Sequence, residues 1–554
     1  MMKRKLRIGI LLNDYFITNW AFQMIEEINN SHYAEISLIV KNGKKTKKLN
    51  LLNSIKNKLK NLLYVTYRKF DRIIYKNEIS AFKLIDVRTI INSKEIIVNP
   101  IQTRYRDRIS NEDVEKIRSH DVDIFLRLGF RILSGEILKA SKYGIWSFHH
   151  GDNDVNRGGP PGVWEVINNW DESGVTLQIL NENLDAGLVL FKSFSLTNFR
   201  SVNRNINSFY LKAISFIPLM LKKLHTNGEE SFFQYLKEKN KHPNFYSNPL
   251  FKSPSNKVMF IFILKLLFNK FYEIYSKIFY INQWTILYKF DSEKNISKSF
   301  YNFKKILPPK DRFWADPHII KKNDKYYIFI EELIYKQNKG FISVIEINNK
   351  GKLSKPVKVL ENDYHLSYPF VFEKNGVYYM IPESKQNNTI DLYKSINFPY
   401  EWIHEKTLIK NISAVDSTLH YYQNKFWLFT NVVKNKGASS FDELFLFHSN
   451  ELVSDDWTPH PLNPIVSDVK KARPAGNLFI HNDNLYRPSQ NCSKHYGYGM
   501  QINQVLKLSE DEYEEKVVRS IYPNWDKNLF ATHSLSSCDN LTVIDGCYRT
   551  SKYF

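Results

Sequence analysis

Five segments in the second half of the chain fall into one register, and this repeat constrains the fold more than any other feature. They are WADPHIIKKNDKYYIFIEE, HLSYPFVFEKNGVYYMIPES, SAVDSTLHYYQNKFWLFTN, RPAGNLFIHNDNLYRPSQN and ATHSLSSCDNLTVIDGCYR. Each has a distinctive first residue, an apolar strand, a turn and a second aromatic or apolar strand. The first positions are Asp316, Tyr368, Asp416, Ala475 and His533, in steps of 52, 48, 59 and 58 residues. The turns NDK, NGV, NKF, NDN and DNL carry the Asn/Asp/Gly chemistry of tight hairpins. Five such units predict an all-β five-bladed β-propeller over residues 285–554. WTILYKFD, 284–291, is expected to supply the strand that closes the ring. The alternative is a β-sandwich with chance similarity.

A chain of 554 residues is too long for one ordinary core. The first part has a different rhythm. RIGILLN reads as a buried strand, NWAFQMIEEINN as an amphipathic helix and AEISLIVKNG as the next strand. Strand and helix then alternate through KEIIVNP, NEDVEKIRSH, VDIFLRLGF, LSGEILKAS and GIWSFHH. This alternation predicts an α/β, Rossmann-like domain over residues 1–200 with a largely parallel sheet. A basic insertion interrupts it at about 41–80, with Lys41, Lys44, Lys45, Lys47, Lys48, Lys56, Lys58, Lys60, Arg68, Lys69, Arg72 and Lys76. Its apolar residues recur at helical spacing, so it reads either as a helix on an anionic membrane surface or as a solvated helix. Residues 201–284 are expected to form a helical connector.

The formal net charge of +21 suits an anionic partner, or the Lys-, Asn- and Ile-rich usage of an AT-rich genome. The basic residues are spread out and no nucleic-acid module is present, so no nucleic-acid partner is expected. Three cysteines without a CxxC exclude a disulfide framework, and no metal site is expected. The start MMKRKLRIGILLNDYF reads as a first strand rather than a signal peptide. With no run of about twenty apolar residues, no transmembrane helix is expected. The expected location is cytoplasmic, with a peripheral position on the inner membrane as its extension.

Chemistry-bearing residues gather in GIWSFHHGDNDVNRGGPPGVWEVINNWDESGVTLQILNENLDAG. His149 ends a strand at the sheet edge where open α/β folds bind ligands. Asp185 follows a later strand and could orient the ring and stabilise its charged form. In order and spacing, FRILSGEIL, GIWSFHH, NRGGPPGVW, SGVTLQIL and LDAG resemble the N10-formyltetrahydrofolate-dependent formyltransferase family over roughly residues 5–200. The resemblance implies a formyltransferase domain with Ser147, His149 and Asp185 at the family's Asn, His and Asp positions. Ser147 replaces the Asn that would hold the developing oxyanion. It further implies N10-formyltetrahydrofolate as donor, held near Phe130, Arg131, Ile132 and Leu133. His150, Asp152, Asn153 and Arg157 are the expected acceptor-binding residues, Arg157 through an anionic group.

In the repeat, Asp316, Asp416 and His533 are the polar first positions, and fifteen residues further on lie Glu331, Glu383, Asn431, Gln490 and Tyr548. Asp316, Glu383, Asp416 and His533 are the candidate glycan-binding residues. The repeat resembles the propeller region of glucosamine inositolphosphorylceramide transferases, and WADP resembles the start of five-bladed glycosidase folds. The latter resemblance implies Asp316 as base and Glu383 as acid. The expected function is therefore transfer of a formyl group to an amino sugar, nucleotide- or lipid-linked, in surface polysaccharide biosynthesis, with the propeller positioning the glycan. The alternative is a carbohydrate-active or carbohydrate-binding propeller protein whose formyltransferase-like domain has altered or lost activity.

Overall fold

The computed structural model describes residues 3–44, 59–243, 245–292 and 296–552. Lys45, Lys47, Lys48, Lys56 and Lys58 of the basic insertion lie outside the described residues. The chain divides into two compact units, Met1–Leu267 with Asn435–Ser439, and Phe268–Lys434 with Ser440–Phe554.

The first unit is built on a seven-stranded sheet. Its strands are β1 (Leu6–Leu12), β2 (Ala34–Asn42), β3 (Lys94–Val98), β4 (Ile124–Arg127), β5 (Ile145–His149), β6 (Glu172–Ile179) and β7 (Leu188–Leu196), in the order β7-β6-β5-β4-β1-β2-β3. Pairing is parallel from β5 to β3 and antiparallel where β6 and β7 extend the edge. The continuous apolar runs of β1, β2 and β4 match strands covered on both faces. Helix Asn19–Asn29 buries Trp20, Ala21, Met24, Ile25 and Ile28, the spacing of one helical face.

Residues 201–239 are not a connector. Helices Val202–Ala213, Phe216–Asn227 and Glu229–Lys239 bury Val202, Phe209, Phe216, Leu221 and Phe232 in the same core as Ile8, Met24 and Trp146. The expected helix LSGEILKAS shrinks to one 3-10 turn, Glu136–Lys139, after Gly135 at φ 84°. Helix Asn256–Phe279 buries only Met259 and Phe262. Among the described residues, no helix is long and apolar enough to cross a membrane.

The second unit is a propeller-type assembly of antiparallel sheets. Four run in chain order through strands Arg312–Lys322 to Val357–Leu360, Ser367–Lys374 to Glu401–Lys410, Ala414–Tyr422 to Thr458–Pro459 and Phe479–His481 to Tyr513–Ile521. A further sheet joins both ends of the unit, pairing Tyr280–Phe290 with Leu541–Ser551 along their whole length. The strand expected from WTILYKFD therefore begins earlier, at Tyr280. Each aligned turn is a two-residue hairpin, and Asn375, Gln423, Asn424, Asn482, Asp483 and Asp539 adopt the positive φ that these turns need.

Candidate functional site

His149 and Asp185 do meet. His149 Nδ1 lies 3.4 Å from Asp185 Oδ1, with His149 as the last residue of β5. Asp185 holds φ 51°, which turns its carboxylate back toward the loop. But His149 Nε2 is 2.6 Å from the carbonyl of Asn156, so both ring nitrogens are spent inside the protein. Burial opposes the charged ring, and the Asp185 carboxylate and Asn156 carbonyl outweigh it, raising the pKa above the ordinary histidine value. Ser147 is buried, accepts from Arg127 Nη1 at 3.1 Å and donates to the Phe148 carbonyl at 3.4 Å. As placed, His149 and Ser147 leave no free donor for an oxyanion.

The remaining residues expected around this pair have structural employment. His150 stacks on Tyr210 with ring centroids 3.6 Å apart and packs against Trp20 and Phe148. His150 follows the end of β5 and packs among Phe148, Trp20 and Tyr210, whereas His149 meets Asp185 and Asn156, so the two rings serve different surroundings. Burial pushes the His150 pKa well below its ordinary value. Asp152 pairs with Lys192 at 2.6 Å, and Asn153 accepts from Thr176 at 3.3 Å. Arg157 donates to the Asn153 carbonyl at 2.8 Å and lies over the Tyr246 ring. In the segment expected to hold folate, Arg131 clamps the buried Asp107 at 2.7 Å, Phe130 and Leu133 are buried, and Ile132 begins a short strand beside Arg106.

The second unit gathers a denser set. Asp316, Tyr368 and Asp416 sit at strand bulges with φ of 51°, 43° and 51°. Three non-glycine residues in the left-handed region, at equivalent repeat positions, cost on the order of 1–3 kcal/mol each. Such strain marks a place where side-chain direction is needed. In the fourth repeat Gly476 follows Ala475, at φ 126°, with the Leu535 carbonyl where a Cβ would stand. There the backbone itself approaches, and Gly476 N–H donates to the Tyr368 hydroxyl at 2.7 Å.

Two charge clusters result. In the first, Arg473 donates to both oxygens of Asp416, and Gln490 Nε2 donates to Asp416 at 2.6 Å. Arg473 Nη2 is also 3.6 Å from Glu383 Oε2, an oxygen that makes no hydrogen bond. Burial, then the charge of Asp416, raises the Glu383 pKa well above the carboxylate range. In the second, His533 Nδ1 lies 2.5 Å from Asp545 and its Nε2 3.3 Å from Asp316 and 2.9 Å from the Tyr496 hydroxyl. Ser534 donates to Asp316 at 2.8 Å. Burial raises the Asp316 pKa despite the opposing pull of His533.

Half-buried aromatic rings border these clusters. Trp284 lies 4.2 Å from the His533 ring, Tyr496 and Phe441 stack at 5.7 Å, and the Arg473 guanidinium lies over Tyr496. All four residues expected here, Asp316, Glu383, Asp416 and His533, belong to the clusters. Arg473, Asp545, Trp284, Tyr496 and Phe441 are additional. Asp316, His533 and Asp545 place their ligand atoms within 4.8 Å of one another, although no metal was expected from the sequence.

The His533 environment predicts a pH effect. Burial opposes its charge, but Asp545 and Asp316 raise its pKa to about 9. The unfolded value is about 6.5, so this contribution is full below about pH 6.5 and disappears as pH rises through about 9. Its size is on the order of 3 kcal/mol. Denaturant unfolding of the second unit should lose stability over this window, and His533→Gln should flatten that dependence.

Residues 306–538 match the family described as glucosamine inositolphosphorylceramide transferase 1, N-terminal. Glucosamine inositolphosphorylceramide transferase 1 of Arabidopsis thaliana is 32% identical over 252 residues, covering 43% of this chain and 33% of that protein. Methionyl-tRNA formyltransferase of Prochlorococcus marinus is 34% identical over 94 residues, covering 17% of this chain and 28% of that protein. The chain thus spans about a third or less of the length of these relatives. Among solved structures, the family 117 glycoside hydrolase Zg3597 of Zobellia galactanivorans aligns over 48% of this chain and 91% of its own, at 11% identity and a TM-score of 0.33. These matches correct the expected function. The sequence match to glucosamine inositolphosphorylceramide transferase 1 spans 252 residues, and that to methionyl-tRNA formyltransferase spans 94. Formylation of an amino sugar with the propeller as accessory fits these matches less well than the alternative, a carbohydrate-active or carbohydrate-binding propeller protein whose formyltransferase-like domain has altered or lost activity.

Proposed function

We propose that this chain is a carbohydrate-active enzyme that acts on a glycan or glycolipid at the polar centre of a five-bladed C-terminal propeller. The observation that carries the reading is the convergence of repeat-equivalent polar residues into clusters bordered by half-buried aromatic rings. Concave sites with a few convergent polar groups and apolar rings suit sugars, whose faces are apolar and whose edges donate and accept hydrogen bonds.

The chemistry follows from the unequal carboxyls. Glu383 stays protonated because burial, and then the charge of Asp416 beside it, disfavours its ionised form. A neutral carboxyl with an unbonded oxygen can protonate a departing glycosidic oxygen. Asp316, held above the usual carboxylate range, suits the role of base toward an attacking hydroxyl or water. The glycosidic C–O bond breaks, a new C–O bond forms, one proton leaves Glu383 and one reaches Asp316. Arg473 and His533 are positioning residues that set the charge around these two. The α/β unit is read as formyltransferase-like in fold with altered or lost chemistry, because its His149 and Ser147 are engaged internally.

The test is glycosyl release or transfer by the purified full chain, assayed with inositol- and amino-sugar-containing glycans. Turnover that depends on Glu383 supports the reading. Binding without turnover reduces the site to a carbohydrate-binding module, and neither binding nor turnover removes the reading altogether.

A further inference from the structure

In the first unit, a cavity of about 720 Å³ lies beside helix Leu62–Ile74, and neither His149 nor Asp185 lines it. Its wall carries Arg68, Arg72 and Lys76. Arg68 and Arg72 are four residues apart and therefore share one helix face, and Lys76 follows just past the helix end. None of the three belongs to an ion pair among the described residues. The nearby acid, Asp71, forms no ion pair with them: it is buried, accepts from the Asn203 backbone N–H at 2.6 Å and acts on Arg68 and Arg72 only through its charge. Burial lowers the Arg68 pKa and outweighs the opposing pull of Asp71 and the neighbouring tyrosines. The cavity is also lined by rings, Tyr64 on the same helix face as the two arginines, and Phe82 and Tyr210 from other elements. Phe82 and Tyr210 lie 4.8 Å apart, and Tyr210 is fixed from behind by its stack on His150.

Three clustered cations beside a rigid aromatic wall define a two-sided ligand. Guanidinium groups match phosphate oxygens in geometry and charge, and the rings match an apolar or flat group attached to the phosphate. We infer that this cavity binds a phosphate-bearing ligand with an adjoining apolar or aromatic moiety. A soluble nucleoside diphosphate and the headgroup region of an anionic phospholipid present this same chemistry. The reading is independent of the glycan site, because every lining residue belongs to the first unit.

The purified full chain would be titrated calorimetrically with uridine diphosphate and with inorganic pyrophosphate, and mixed with vesicles of phosphatidylglycerol and phosphatidylcholine. Arg72 and Lys76 are exposed, so Arg72→Glu and the double variant Arg72→Ala/Lys76→Ala should fold normally, which thermal melting checks. Binding of at least one probe, weakened about tenfold or more in both variants, is the expected result. Tighter binding of uridine diphosphate than of pyrophosphate identifies a soluble ligand using the ring wall. Binding to vesicles alone identifies a lipid headgroup. The inference is overturned if no probe binds, or if the variants bind as the unaltered chain does.

Discussion

Glu383→Gln should abolish glycosyl turnover while leaving the fold and glycan binding intact. The amide keeps the size and hydrogen-bonding reach of the protonated carboxyl but cannot give up a proton. Loss of a positioned general acid costs on the order of a hundredfold to ten-thousandfold in rate. Because Glu383 is neutral in the folded protein, the isosteric amide removes no charge pairing and should leave stability unchanged within about 1 kcal/mol. Asp316→Asn should lower kcat comparably, since it removes the proton acceptor. His149→Ala, in contrast, should leave turnover unchanged and lower only the stability of the α/β unit, where the ring ties Asp185 to the Asn156 carbonyl. Steady-state kinetics beside thermal melting separates the two patterns. Loss of turnover in His149→Ala with retention in Glu383→Gln would place the chemistry in the wrong unit.

Arg473→Ala should be the most destabilising single change in the second unit. The guanidinium is buried, donates to both oxygens of Asp416 and approaches Glu383. Without it Asp416 keeps one side-chain donor, Gln490, for a charge held away from water. Removing one partner of a buried ion pair costs about 3–5 kcal/mol. For a unit of this size that amounts to a fall in Tm of roughly 10 °C. The double variant Arg473→Met/Asp416→Asn removes the stranded charge and should recover most of the loss. Failure of the double variant to recover would mean that Arg473 acts through packing on Tyr496 and Phe441 instead of through charge.

The repeat was legible because two independent signals share its register. The turns start seven residues after the first position in four repeats and six after it in the fifth, with apolar runs flanking them. The polar positions came with it, and Asp316, Asp416, Glu383 and His533 all join the buried clusters. Arg473 and Asp545 lie inside the aligned segments but off the positions that the register marks. Arg473 stands two residues before the fourth first position and approaches both Asp416 and Glu383. Asp545 stands three residues before the fifth aligned polar position. Its importance comes from accepting the His533 and Ser534 backbone N–H groups, a long-range pairing that no local pattern encodes.

The first unit shows the opposite balance. Strand and helix alternation identified the sheet, and the His149–Asp185 contact was foreseeable from their positions at strand ends. Residue type did not reveal that the loop folds back to occupy His149 with the Asn156 carbonyl, or that Arg127 reaches Ser147. Whether a histidine is free or spoken for is decided by tertiary contacts. The same holds for His150, whose neighbouring position suggested a shared role that its packing against Tyr210, Trp20 and Phe148 excludes.

The central claim, a glycan site at the polar centre of the second unit, is tested most directly by calorimetric titration of the full chain with inositol- and amino-sugar-containing oligosaccharides, in parallel with Trp284→Ala and Tyr496→Ala. The account predicts saturable binding to the unaltered chain, retained in Glu383→Gln, and weakened about tenfold or more in each aromatic variant whose melting curve is preserved. Binding that is absent throughout, or that persists undiminished in both aromatic variants, would contradict it.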